Sequence, residues 1–190
     1  MFRPFLPLAG SALALLLLAT SCQLEASQAP SPRHYGAVSF SCPAGWHTDA
    51  AEHTDSAACS VSCSKTGFNT SGLVSMSWFT DSLDQEKLQG IFRQQLRSSP
   101  VYKTASIHFE PVQPGSYGNR PAQVGSFSFS LLGVAHAGAI YTFWQPGHTF
   151  AVLTQQALED SAANRAGFQL LAQSLQCRLA APAAPPTTSP

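Results

Sequence analysis

The chain has 190 residues, with 10 Lys+Arg against 10 Asp+Glu and a formal net charge of zero. Hydrophobic residues make up 44% and charged residues 11%, too apolar for a disordered chain and long enough for one domain with a proper core. Neither net positive charge nor a run of Lys or Arg offers DNA or RNA an electrostatic footprint, so no nucleic-acid partner is expected.

The first signal lies at the front. Arg3 supplies a short positive region, and LALLLLA from Leu13 to Ala19 forms the apolar centre of a secretory signal. That run is too short for a comfortable membrane span, which takes about 20 residues. Leu18-Ala19-Thr20-Ser21-Cys22 then resembles the bacterial lipobox, in which small residues precede a cysteine that receives a diacylglycerol thioether before the signal is cut. That pattern prefers Leu three places before the cysteine; here Ala19 stands there and Leu18 is one place earlier. The bland alternative is an ordinary secreted chain cut after Ala or Ser. The resemblance implies a signal peptide over 1–21, a lipid on Cys22, and attachment through acyl chains at about 0.8 kcal/mol per buried CH₂. Gln23 rather than Asp after the cysteine implies the outer membrane, facing periplasm or surface, in a Gram-negative organism.

Residues 22–34 read as a polar tether and 35–179 as a single folded domain. Within it, YGAVSFSCPAGW alternates Val38, Phe40 and Cys42 on one face and stops at Pro43-Ala44-Gly45, which predicts a strand and a turn. The polar residues 47–58 read as a loop. Segments 59–64 and 72–80 follow as strands, the second with Val74, Met76 and Trp78 on one face. Then the period changes: Leu88, Ile91, Phe92 and Leu96 recur at helical spacing, with Ser82 and Gln85 as a capping box. A helix over 83–97 is predicted, with Arg93 and Arg97 near its C-terminal end and Pro100 as its stop.

Four strand-like segments come next, at 104–112, 123–132, 137–144 and 148–155. In the second, Phe127, Phe129 and Leu131 alternate with serines. Gly133 and Pro146-Gly147 separate the later three, as antiparallel hairpins require. A helix starting at Asp160 or Ser161 lines Phe168, Leu171 and Leu175 on one stripe. The Ala/Pro-rich stretch 180–190 cannot build a core. The expected class is therefore α+β, an antiparallel sheet of about six to seven strands with two main helices in the order βββαββββα.

If Cys22 carries lipid, Cys42, Cys59, Cys63 and Cys177 remain for an oxidising compartment, and two disulfides are expected. Cys59 and Cys63 on one strand stand about 13 Å apart, beyond bridging reach. Cys42–Cys59 with Cys63–Cys177 is the expected pairing, and an exchange of partners is the alternative. A zinc site is the rival, but paired C-x-x-C knuckles are absent.

The opening strand closing on Pro43-Ala44-Gly45-Trp46 and the mid-chain helix beginning Ser82-Leu83 are shared features. So are the Arg120-Pro121-Ala122 step into a Phe-alternating strand and the ending Phe168-x-x-Leu171-x-x-Ser174-Leu175. Together they resemble the PsbP/Mog-like superfamily across nearly all of 35–179. The resemblance implies that fold and a binding, assembly or accessory role, with no catalytic residue to carry over. The four body cysteines lie outside its pattern.

For chemistry, the densest cluster is His47, Asp49, Glu52, His53 and Asp55. Such groups bind divalent metals or transfer protons, but the spacing matches no recognised site and a solvated loop accounts for it. No G-x-S-x-G elbow, phosphate loop or dinucleotide fingerprint occurs, so neither a catalytic residue nor a cofactor is expected. Aromatics at strand period read as core, whereas Tyr117 and Trp144 beside turns read as exposed partner contacts. These features predict a non-enzymatic envelope lipoprotein that binds an unidentified envelope protein. A periplasmic hydrolase or metal-dependent enzyme, and an inhibitor or immunity protein against an envelope-acting toxin, are the alternatives.

Overall fold

The computed structural model describes residues 29–49, 52–55, 58–65, 71–103 and 105–178. The signal, Cys22 and the 180–190 tail lie outside them. The architecture grows from the long meander β9 (Arg120–Leu131), β10 (Val134–Gln145) and β11 (His148–Ala157). Two-residue turns join these strands. Leu132 and Gly133 both take positive φ (50° and 82°), and Gly147 takes 79°, the twist that hairpin turns demand. Before the meander come β1 (Ser31–Tyr35), β2 (Val38–Cys42), β3 (Trp46–Thr48), β4 (Glu52–Asp55), β5 (Ala58–Lys65) and β6 (Leu73–Phe79). Helix α1 (Gln85–Ser98), β7 (His108–Phe109) and β8 (Gln113–Tyr117) bridge the two sets. Helix α2 (Ser161–Ser174) and β12 (Gln176–Cys177) close the domain.

Every pairing among the described strands is antiparallel. The large sheet runs β3-β5-β6-β11-β10-β9-β7, with β4 beside β5 and β8 beside β9; the small sheet runs β1-β2-β12. Alternation along the strands gives the large sheet two apolar faces. Val61, Cys63, Val74, Met76, Trp78, Phe143, Phe150 and Val152 meet Val38, Phe40 and Cys42 of the small sheet and Leu171 and Leu175 near the end of α2. On the other face Phe127, Phe129, Ile140 and Leu153 meet Leu96 of α1.

The expected class and antiparallel meander are found, and the differences are local. Six strands rather than three precede α1, because residues 47–58 are not all loop: β3 and β4 are short edge strands hydrogen-bonded to β5. Strand β1 begins at Ser31, inside the segment read as tether, because residues 31–35 pair with β2 across a turn at Gly36. The strand expected over 104–112 shortens to His108–Phe109, and Pro114 to Tyr117, read as part of a turn, forms β8. Proline is tolerated there because β8 borders the large sheet. Helix α1 is capped not by Ser82 but by Asp84, whose carboxylate accepts from Lys87 N at 2.7 Å.

Close approach sets one strict demand at Gly138. A Cβ there would lie 2.3 Å from the Phe127 ring and 2.4 Å from the Thr154 carbonyl. Gly138→Ala should therefore destabilise the domain by about 2 kcal/mol in urea unfolding, with an unchanged slope. The base of α2 is tied by Asp160, whose carboxylate accepts from Ser71 N and Oγ, both at 2.7 Å. Those bonds hold the carboxyl below its usual range. Stability from a depressed carboxyl is present above its unfolded value and lost as pH falls through the folded one. Asp160→Ala should therefore lower Tm at neutral pH, and the gap from the parent should narrow below about pH 4.

Candidate functional site

The strand-to-helix passage after β6 is pinned by one buried hydroxyl. Thr149 Oγ1 accepts from Leu83 N at 2.9 Å and donates to the Asp81 carbonyl at 2.7 Å. Thr149 itself is fully buried, where an unmet hydroxyl is costly. The passage is thereby held with Leu83 facing outward, and Asp84 caps α1 directly after it. From the next strand, Thr142 Oγ1 donates to the Gln85 carbonyl at 3.4 Å, and Trp144 Nε1 donates to Ser82 Oγ at 3.2 Å.

These contacts build a cleft of about 790 Å³ lined by Leu83, Asp84, Gln85, Glu86, Val112 and Gln123. Leu83 is 38% exposed there, and Trp144, 50% exposed, is bonded to the adjacent Ser82. Asp81, Asp84 and Glu86 place three exposed carboxylates near it, against Lys87. An apolar rim with an acidic lip can take up an apolar side chain next to a basic group. The lining residues include no nucleophile paired with a base.

Of the two partner-contact candidates, the structure separates one from the other. Trp144 is half exposed because α1 begins beyond it and only Ser82 reaches its indole nitrogen. Tyr117 is a correction: it is 4% exposed, stacked on Phe143 at 5.6 Å, because β8 pairs with β9 and turns the ring inward. Burial pushes its phenol up, and its hydroxyl has no hydrogen-bond partner among the described residues. It borders a second cleft of about 490 Å³ with Tyr141, Phe168 and Gln173.

The acid–histidine cluster is brought together only in part. His47 Nε2 lies 3.7 Å from Asp49 Oδ1 and 3.3 Å from Ser64 Oγ, and Ser62 Oγ donates to Asp49 at 2.8 Å. Glu52, His53 and Asp55 lie on β4, and their side chains fall outside the described residues. Among the described residues, no group of three or more His, Cys, Asp or Glu is placed to hold a metal.

Cys42, Cys63 and Cys177 carry thiols in this structure. The expected pairing is not the one the fold brings together: Cys42 lies near Cys63, close enough for each thiol to perturb the other. Cys177 pairs in β12 with Val38, about 13 Å down β2 from Cys42, and its sulfur lies 3.4 Å from His148 Nδ1. Sequence reasoning missed Leu83, Asp84 and Glu86 as a surface. The signal was there: an apolar residue just before a helix cap, outside the helix's own apolar stripe.

No protein-family model matches the chain, and no curated protein matches it. Among solved structures, LpqN of Mycobacterium tuberculosis, involved in cell envelope biogenesis, is similar with a TM-score of 0.48 and 12% identity. That match covers 79% of this chain and 91% of LpqN. The cyanobacterial PsbP (CyanoP) of Synechocystis sp. PCC 6803 is similar with a TM-score of 0.51 and 9% identity, over 80% of this chain and 95% of that one. The chain thus has the PsbP-like fold, an antiparallel sheet with two helices.

Exposure of Trp144 is directly measurable. Trp78 is buried and Trp46 is half-buried against Phe168 at 5.5 Å, so Trp144→Phe should remove most of the fluorescence that acrylamide quenches. Quenching that persists in Trp144→Phe and disappears in Trp78→Phe would contradict this placement.

Proposed function

We propose that the protein is a lipid-anchored, non-enzymatic module of the cell envelope that binds another envelope protein through the cleft at the start of α1. The observation that carries the reading is the half-exposed Trp144 beside Leu83, on a backbone already pinned by Thr149. A large aromatic held at little entropic cost is the usual centre of an interface, and a rigid support spares the cost of ordering it on binding. The acidic lip favours a partner segment with Lys or Arg next to an apolar residue. Attachment through Cys22 follows from the lipobox-like sequence, and the secretory signal ahead of it supports an envelope location. Neither the metal-dependent enzyme nor the hydrolase gains a feature from the cleft, whose lining offers carboxylates and amides without a nucleophile.

Affinity capture from an envelope extract with the full chain, followed by mass spectrometry, tests the reading. A partner should be retained by the parent and lost with Trp144→Ala, which should weaken binding by on the order of 2 kcal/mol, roughly thirtyfold in Kd. Equal retention by both would remove the cleft from consideration, and a captured toxin would favour the inhibitor alternative. Separately, Cys22→Ser should move the protein out of the membrane fraction; continued membrane association would overturn the anchor.

A further inference from the structure

We propose that Cys42 and Cys63, thiols in this structure, close on oxidation into a disulfide that staples the small sheet to the large one. Cys42 ends β2, opposite Ser31 of β1. Cys63 lies in β5, opposite Thr48 of β3 and Val74 of β6. The two strands belong to different sheets, yet both side chains point into the same core, in the cluster that holds Tyr117 and Leu171. Each is fully buried, and the two thiols lie close enough to perturb one another. Cys59 is about 13 Å along β5 from Cys63, and Cys177, opposite Val38, is at least as far from Cys42, so neither of those pairs can close.

Closing the bridge takes an oxidant. With a low-molecular-weight disulfide in that role, the Cys42 thiolate attacks one sulfur of that disulfide and expels the other as a thiolate. Cys63, giving up its proton to solvent, then attacks Cys42 Sγ and expels the second thiolate. One protein S–S bond forms, one small-molecule S–S bond is reduced, and two thiols leave. Both sulfurs are closed to solvent in the folded domain, so the exchange takes place as the chain folds.

The bridge encloses residues 43–62, and with them β3 and the Asp49 contact to Ser62. It adds a covalent tie where the small sheet meets the large one through core packing and the Cys177–His148 contact.

The test uses the full chain unfolded, reduced and refolded with oxidised glutathione, then denatured and alkylated without reductant. Peptide mapping should show Cys42 linked to Cys63. A variant carrying Cys22→Ser, Cys59→Ser and Cys177→Ser should lose both remaining thiols on refolding. It should melt several degrees higher oxidised than reduced. Alkylation of Cys42 or Cys63 without reductant, glutathione retained on either, or a link from either to Cys59 or Cys177 would overturn the proposal.

Discussion

The domain depends on a row of aromatic rings that crosses from one edge of the large sheet to the small one. Tyr117 of β8 stacks on Phe143 of β10, which lies flat against Phe150 of β11 at 5.2 Å and 1°. Phe150 meets Trp78 of β6 at 6.5 Å; Trp78 meets Tyr35 at 6.2 Å; and Tyr35 stacks on Phe40 within the small sheet. Each ring sits at a position that strand alternation turns to the same face, so a slip of one residue in any of these strands would break the row. Such pairs contribute about 0.5–1.5 kcal/mol each beyond the area they bury. The row explains why the small sheet packs where it does, and why β8 closes over the core despite its proline and glycine.

The opposite face is organised by polar contacts. Gln89 of α1 is buried and donates its amide to the carbonyls of Ile140 at 2.7 Å and Gln123 at 3.1 Å. Gly125 leaves room for it, since a Cβ there would stand 2.6 Å from Gln89 Oε1 and 2.7 Å from Arg93. Arg93 reaches on to the Glu110 carbonyl, and Arg93 and Arg97 lie over the Phe109 ring at 5.3 and 4.8 Å. Helix α1 is thus fixed in rotation as well as position. Because it cannot roll, the cleft at its start keeps one shape.

Much of this was legible in the sequence because it follows from periodicity. Phe127, Phe129 and Leu131 announce β9 by alternation, and Leu88 and Leu96 announce the buried face of α1. What escaped was set by distant partners. Residues 47–55 carry no apolar alternation, and β3 and β4 exist only because β5 offers an edge to pair with. Tyr117 looked exposed from the Pro114-Gly115-Ser116 that precedes it, since nothing local records that β9 pairs with it across Arg120. The capping box at Ser82 lost to Asp84 because Thr149, far along the chain, holds Leu83 out of the helix. Cys42 and Cys63 met for the same kind of reason: the cross-sheet packing that joins them has no local signature.

The candidate site follows from a mismatch of lengths. Strand β10 has 12 residues and α1 has 14. At about 3.4 Å per strand residue and 1.5 Å per helical residue, the strand extends roughly 40 Å and the helix roughly 21 Å. One helix cannot cover that face from end to end. On the other face the small sheet and α2 share the task. The uncovered ends of the α1 face are where clefts open: about 790 Å³ beside Leu83, and about 380 Å³ between Leu96, Ser99 and Tyr102. The first opens at the end where Trp144 bonds Ser82, and there the carboxylates of the cap add charge. Exposure of Trp144 is thus a geometric remainder of the fold, left where the helix starts too late to cover it.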